Sequence, residues 1–180
     1  GTGKSAFAVF LSQILAPPRS GFQAAHGLRQ ELLKKISGSN KLTTRLWPVV
    51  VTAERAPLGA LVLRGLKKTL ERIHKGRPGR KPPLLTQVQN YLEGSEYGTS
   101  DVVRCFQDAG RLIAKEHRKH GLLLIIDETG KALEFAVQQP QHDDLFLLQQ
   151  LAEAAADARK QDGPPFIVLT VLHQSFEQYA

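Results

Sequence analysis

The chain has 180 residues, of which 42% are hydrophobic and 23% charged, with a formal net charge of +7 and a pI of about 9.7. This length and balance suit one soluble globular domain, and no apolar run reaches the ~20 residues that a membrane-spanning helix needs. Cys105 is the one cysteine, which excludes an internal disulfide and a cysteine-based zinc site and fits a reducing, cytoplasmic compartment. The six histidines show no metal-ligand spacing with it. The positive charge is compatible with acidic partners such as nucleotides or nucleic acid without requiring them. No methionine occurs, no charged–apolar–small leader opens the chain, and Gly1-Thr2-Gly3 starts in mid-motif. These features predict an interior segment of a longer protein.

After the glycine-rich opening, Lys4 to Ala16 reads as a helix with Phe7, Phe10, Leu11, Ile14 and Leu15 on an inward apolar stripe. Pro17-Pro18 ends it. Phe22 to Ile36 predicts a second helix, with Leu28, Leu32, Leu33 and Ile36 inward. Leu46 to Thr52 is a buried strand that Pro48 places toward a sheet edge. Pro57 to Lys75 is a long periodic helix, and the proline- and glycine-rich run from Gly76 to Pro83 cannot be regular. Leu84 to Leu92 and Ser100 to His120 are further helices, the latter capped by Thr99 or Ser100. Leu122 to Ile126 is purely aliphatic, the signature of a strand covered on both faces in a parallel sheet. Helices over Gly130 to Val137 and Asp144 to Lys160 follow, then an apolar strand from Phe166 to Leu172 and the start of a helix at Gln174. Strands alternating with helices predict an α/β fold with a mostly parallel sheet.

Three stretches carry chemistry. Gly1-Thr2-Gly3-Lys4-Ser5 matches the last five positions of G-x-x-x-x-G-K-[ST] and is followed by a helix. Glycines let backbone N–H groups wrap phosphate oxygens, Lys4 would neutralise the β- and γ-phosphates, Ser5 would hold Mg²⁺, and the helix N-terminus favours anions. A plain turn before a helix is the alternative. Second, the aliphatic strand ends in Asp127-Glu128, at the end of a parallel strand where α/β proteins place ligands. Asp127 would bind the metal and Glu128 would act as general base on an attacking water; alternatively Asp127 caps the next helix and Glu128 is solvated. Third, His173 and Gln174 follow the last strand, placed either to sense the γ-phosphate or to cap a helix with Ser175.

These residues together resemble the core of P-loop NTPases, and the Asp127-Glu128 pair resembles the division that contains AAA+ and STAND ATPases. Asp127 to Lys131 and Leu172 to Phe176 are also similar to AAA-type ATPases of bacterial defence and mobile-element systems. The resemblance implies a three-layer α/β/α sandwich of strand order 5-1-4-3-2. Leu46–Thr52 would be strand 2, the Asp127 strand would be strand 3 and Phe166–Leu172 strand 4, with strands 1 and 5 missing from residues 1–180. It implies ATP and Mg²⁺ as cofactors, a nucleotide site on Gly1 to Ser5 with His173 and Gln174, and catalysis by Lys4 and Glu128. It further implies a homo-oligomer or multidomain parent, and a polar residue such as Thr52 restraining the glutamate. The 123 positions between Lys4 and Asp127 are long for such a core and predict a helical, basic insertion at about 57–120. A DExx-type nucleic-acid helicase and a slowly hydrolysing, nucleotide-gated signalling scaffold are the alternatives. Thr129-Gly130 departs from the helicase box, and a glutamate beside the metal aspartate favours water over a kinase acceptor.

Eight Lys and Arg residues lie between Arg64 and Lys81, with Glu71 the one acid among them. They read as a solvated helix face running into a linker, or as a contact to DNA or RNA phosphates. Arg111, Lys115, Arg118 and Lys119, with His117 and His120, form a second cluster. Cys105, beside Phe106 in a helical pattern, reads as core.

Overall fold

A computed structural model describes residues 3–17, 23–37, 44–75, 81–139 and 142–172. In chain order the described elements are α1 (Lys4–Leu15), α2 (Gln23–Ser37), β1 (Leu46–Thr52), α3 (Leu58–His74), α4 (Pro83–Leu92), α5 (Thr99–Glu116), β2 (Gly121–Asp127), α6 (Thr129–Gln138), α7 (Asp144–Lys160) and β3 (Phe166–Thr170). Of the irregular run expected over residues 76–83, residues 76–80 lie outside the described residues, 81–82 are irregular, and Pro83 instead opens α4, where its missing N–H costs nothing; the helix expected from Gln174 also lies outside the described residues. The strands form one parallel sheet in the order β1-β2-β3. Leu46 pairs with Gly121 and Thr52 with Asp127 across the first ladder; Leu122 pairs with Phe166 across the second. The chain is therefore α/β, with a parallel sheet, as its pattern predicts.

β2 forms the centre because it is apolar on both faces. Leu122, Leu124 and Ile126 join the large core made with α3, α5 and α7, while Leu123 and Ile125 face Ala8 of α1 on the opposite side. All five are at most 1% exposed, and each contributes roughly 1.5–3 kcal/mol of burial. Residues 57–120 supply α3 and α5, which lie directly on β1 and β2, and α4, which packs on both of those helices. Pro48 sits in β1, an edge strand among the described ones, as its missing N–H requires. Its carbonyl accepts from Thr69 Oγ1 at 2.9 Å and Arg72 Nη2 at 3.0 Å.

Several expected details differ. Of the expected stripe on α1, Ile14 is buried and Leu15 packs beside Ala8 against the strands, whereas Phe7 is 60% and Phe10 41% exposed. The stripe is rotated by the small residues: Ala8 meets the strands and Ser12 is buried, so the phenylalanines at the N-terminal half of the stripe fall outside. On α2, Leu28 is exposed while the neighbouring Arg29 is buried. Its guanidinium donates to the carbonyls of Ile14, at 3.1 Å, and Thr44, at 2.7 Å, binding the negative C-terminal end of α1. α5 is capped by Gly98 in place of Thr99 or Ser100, with Asp101 Oδ2 accepting the Gly98 N–H at 3.0 Å. It stops at Glu116, four residues before the expected His120, because the chain reverses there into β2 with Lys119 in the left-handed region at φ 67°. β3 ends at Thr170 and not Leu172; Val171 still donates to Ile126 and accepts from Thr129.

α3 is capped from a distance. Asp144, 3% exposed at the start of α7, accepts the N–H of Leu58 through Oδ1 at 3.0 Å, while its buried Oδ2 lacks a hydrogen-bond donor among the described residues. Burial pushes its pKa above the usual carboxylate value, opposed by the Leu58 hydrogen bond. A carboxyl whose folded pKa exceeds its unfolded one stabilises most when protonated, so this contribution is present below the unfolded pKa of ~3.9 and is lost as pH rises through the folded value. Asp144→Asn keeps an acceptor without a buried charge. It is expected to match or exceed wild-type stability at pH 7 and to flatten the pH dependence above pH ~4. Asp144→Ala is expected to lose about 0.5–2 kcal/mol. Urea unfolding at a series of pH values from acid to neutral measures both.

Candidate functional site

The site lies where the N-terminus of α1 meets the C-terminal end of β2. Gly3 precedes α1 in the left-handed region (φ 71°) and accepts the N–H of Phe7 at 2.8 Å. Only glycine takes that conformation without a Cβ penalty. The first turn of α1 carries neither a side-chain cap nor an acidic residue, so its N–H groups and positive dipole end remain suited to an anion. Lys4 opens the helix and is exposed; Ser5 is half-buried. Gly1 and Thr2 lie outside the described residues.

From this turn Ser5 Oγ donates to Asp127 Oδ1 at 3.1 Å, a contact between residues 122 positions apart. The same carboxylate oxygen accepts the N–H of Glu128 at 2.9 Å. Two parallel ladders and the Asp127 carbonyl, which accepts the N–H of Ala53 at 2.8 Å, fix the strand end. The fold thus brings the hydroxyl of the glycine-rich motif onto the first carboxylate of the Asp127-Glu128 pair.

Glu128 is itself in the left-handed region (φ 54°, ψ 36°), as the residue preceding α6. A glutamate held there costs of order 1 kcal/mol, and such residues concentrate at functional sites. The turn after it is pinned by Thr129, whose Oγ1 donates to the Ile126 carbonyl at 2.8 Å and whose N–H donates to that of Val171 at 3.0 Å. The Glu128 carboxylate forms an ion pair with Lys131. The sequence motifs give Lys131 no role of its own, although its i,i+3 spacing from the glutamate at a helix start carries the signal. Thr52 pairs with Asp127 in the ladder and is exposed at its strand end. Arg55 reaches from the following loop to Glu134 of α6 at 3.3 Å. His173 and Gln174 lie outside the described residues.

Among the described residues no group of three His, Cys, Asp or Glu side chains is arranged to hold a metal ion, and no helix is long and apolar enough to cross a membrane. Cys105 is 1% exposed, and burial pushes its thiol up to about 11, so it packs as core and carries no nucleophilic thiolate near neutral pH. No protein-family model, curated protein or solved structure matches the chain.

Proposed function

We propose that this chain is the ATP-binding and hydrolysing module of an AAA+/STAND-like P-loop NTPase that powers or switches a larger assembly. The observation that carries the reading is the 3.1 Å contact between Ser5 Oγ and Asp127 Oδ1. Mg²⁺ takes oxygen ligands at ~2.0–2.1 Å in octahedral geometry, so adjacent ligand oxygens are spaced by about 3 Å. A hydroxyl and a carboxylate oxygen at that spacing suit the ion, which completes its shell with water and phosphate oxygens in nucleotide sites. When bound with nucleotide, Mg²⁺ would neutralise charge on the β- and γ-phosphates.

The protein's own groups divide the remaining work. The backbone from Gly1 to Ser5 and the first turn of α1 receive the phosphates, with Lys4 adding a positive charge. Ser5 and Asp127 would hold the metal. Glu128, turned out of the strand by its left-handed backbone, accepts a proton from the water that attacks the γ-phosphate. The order β1-β2-β3 also supports the reading, since it is the 2-3-4 portion of the implied strand order.

The test is nucleotide binding by the intact protein. Lys4→Ala is expected to reduce Mg²⁺–ATP affinity at least about tenfold by isothermal titration calorimetry, as loss of a phosphate-binding cation should, while the far-UV spectrum stays unchanged. Unchanged affinity removes the phosphate-loop assignment.

A further inference from the structure

We propose that the exposed face of α3, along the β1 edge of the sheet, binds the phosphate backbone of a nucleic-acid duplex. This surface is separate from the site at the strand ends and does not depend on the nucleotide reading.

The sequence leaves the basic run open between a solvated face and a nucleic-acid contact; the structure shows how its charges are arrayed. Arg64, Lys68 and Arg72 are exposed along one side of α3, and Lys75 continues their line at its end. Val62, Leu66, Leu70 and Ile73 form the opposite, buried side. At ~1.5 Å rise per residue the four cations follow one another at steps of roughly 4.5–6 Å over about 16 Å. A linear array of that kind suits a chain of phosphates better than a compact anion. Glu71, the one acid in this run, is paired with Lys67 at 4.0 Å. Arg72 is oriented by the edge strand, donating to the Pro48 carbonyl and to Thr69 Oγ1, both at 3.0 Å. A groove between α3 and β1 runs beside the array, with Val50, Lys68, Arg72, Lys75 and the Lys67-paired Glu71 on its walls, so the cations outnumber the acid there three to one.

The same face selects among polyanions. Leu66, Leu70 and Ile73 are buried, so the α3 stripe itself offers no apolar side chains for insertion into a lipid surface, and Val50 of β1, exposed beside it, is a single valine and not an apolar helix face. It contains no aromatic residue on which unpaired bases could stack. What remains is contact with phosphates held in a regular line, as in a duplex, without base readout.

The probe is fluorescence anisotropy of labelled DNA and RNA duplexes of about 20 base pairs, titrated with the full chain between about 50 and 200 mM salt. Binding to either duplex is expected. The variant Arg64→Gln/Lys68→Gln/Lys75→Gln is expected to weaken it at least about tenfold and to reduce the log–log salt slope by about 2–3, since each lost phosphate contact removes roughly 0.9. Arg111→Gln/Lys115→Gln on α5 is expected to change affinity less than about twofold. Lys68→Gln/Lys75→Gln provides the same comparison should the triple variant lose its far-UV spectrum. The proposal is overturned by no duplex binding at the lowest salt, by unchanged affinity and slope in the α3 variants, by loss confined to the α5 variant, or by binding to phosphatidylserine vesicles in place of duplexes.

Discussion

Glu128→Gln is expected to leave Mg²⁺–ATP binding within about twofold of wild type and to slow phosphate release by about 10²–10⁴-fold, the range that a positioned general base contributes. The amide preserves the size of the side chain and its place before α6, so the left-handed backbone at φ 54° and the Thr129 hydrogen bonds that pin the turn are retained. It removes the proposed proton acceptor and the charge paired with Lys131. In the proposed reading binding falls to Lys4, Ser5 and Asp127, which the substitution does not alter. Equilibrium dialysis and single-turnover phosphate release separate the two effects. Undiminished hydrolysis removes Glu128 as the base, whereas loss of both binding and hydrolysis assigns it a structural role at the end of β2.

The parts of this fold that can be read from the sequence are those where one interaction dominates. Leu122 to Ile126 is apolar without interruption, and only burial on both faces of a sheet accommodates it, which is what β2 shows. Asp127 closes that strand, and Ser5 follows a glycine motif at the start of a helix; their contact at 3.1 Å joins two features that the sequence displays separately. Choices between competing faces are harder to read. Periodicity identifies an apolar stripe on α1 and Ile14 is buried as it predicts, but it does not show that Ala8 meets the strands while Phe7 and Phe10 stay exposed. The burial of Arg29 depends on carbonyls of Ile14 and Thr44, at the end of a different helix and in a separate loop, and no local pattern encodes it. Asp144 caps α3 from 86 positions away for the same reason. Side-chain-to-backbone contacts of this kind satisfy helix ends that the tertiary fold happens to bring near, so they become visible only once packing is known.

Gly121→Ala is expected to prevent stable folding, or to destabilise the protein by more than about 4 kcal/mol, although it adds a single methyl group. A Cβ at this position would lie 1.8 Å from the Pro165 carbonyl oxygen, 2.7 Å from its carbon and 2.9 Å from Pro165 Cβ. These are mainly backbone atoms, so no rotamer change relieves the overlap. The same Pro165 carbonyl accepts the N–H of Leu122 at 2.8 Å, and Gly121 donates to the Arg45 carbonyl at 3.0 Å. Separating the chains at this point therefore breaks the start of both ladders of the central strand. Asp127 stands at the far end of β2, about 20 Å away at ~3.3 Å per residue, and its position against Ser5 depends on the register that begins at Gly121. Any soluble remnant is accordingly expected to lose nucleotide binding as well as stability. Gly27→Ala is the matched control: it lies in α2 with open space around the added Cβ, and is expected to gain about 0.5–1 kcal/mol from the better helix former. Urea unfolding followed by circular dichroism compares the two, and a Gly121→Ala protein as stable as wild type would refute the close approach of Pro165 to the start of β2.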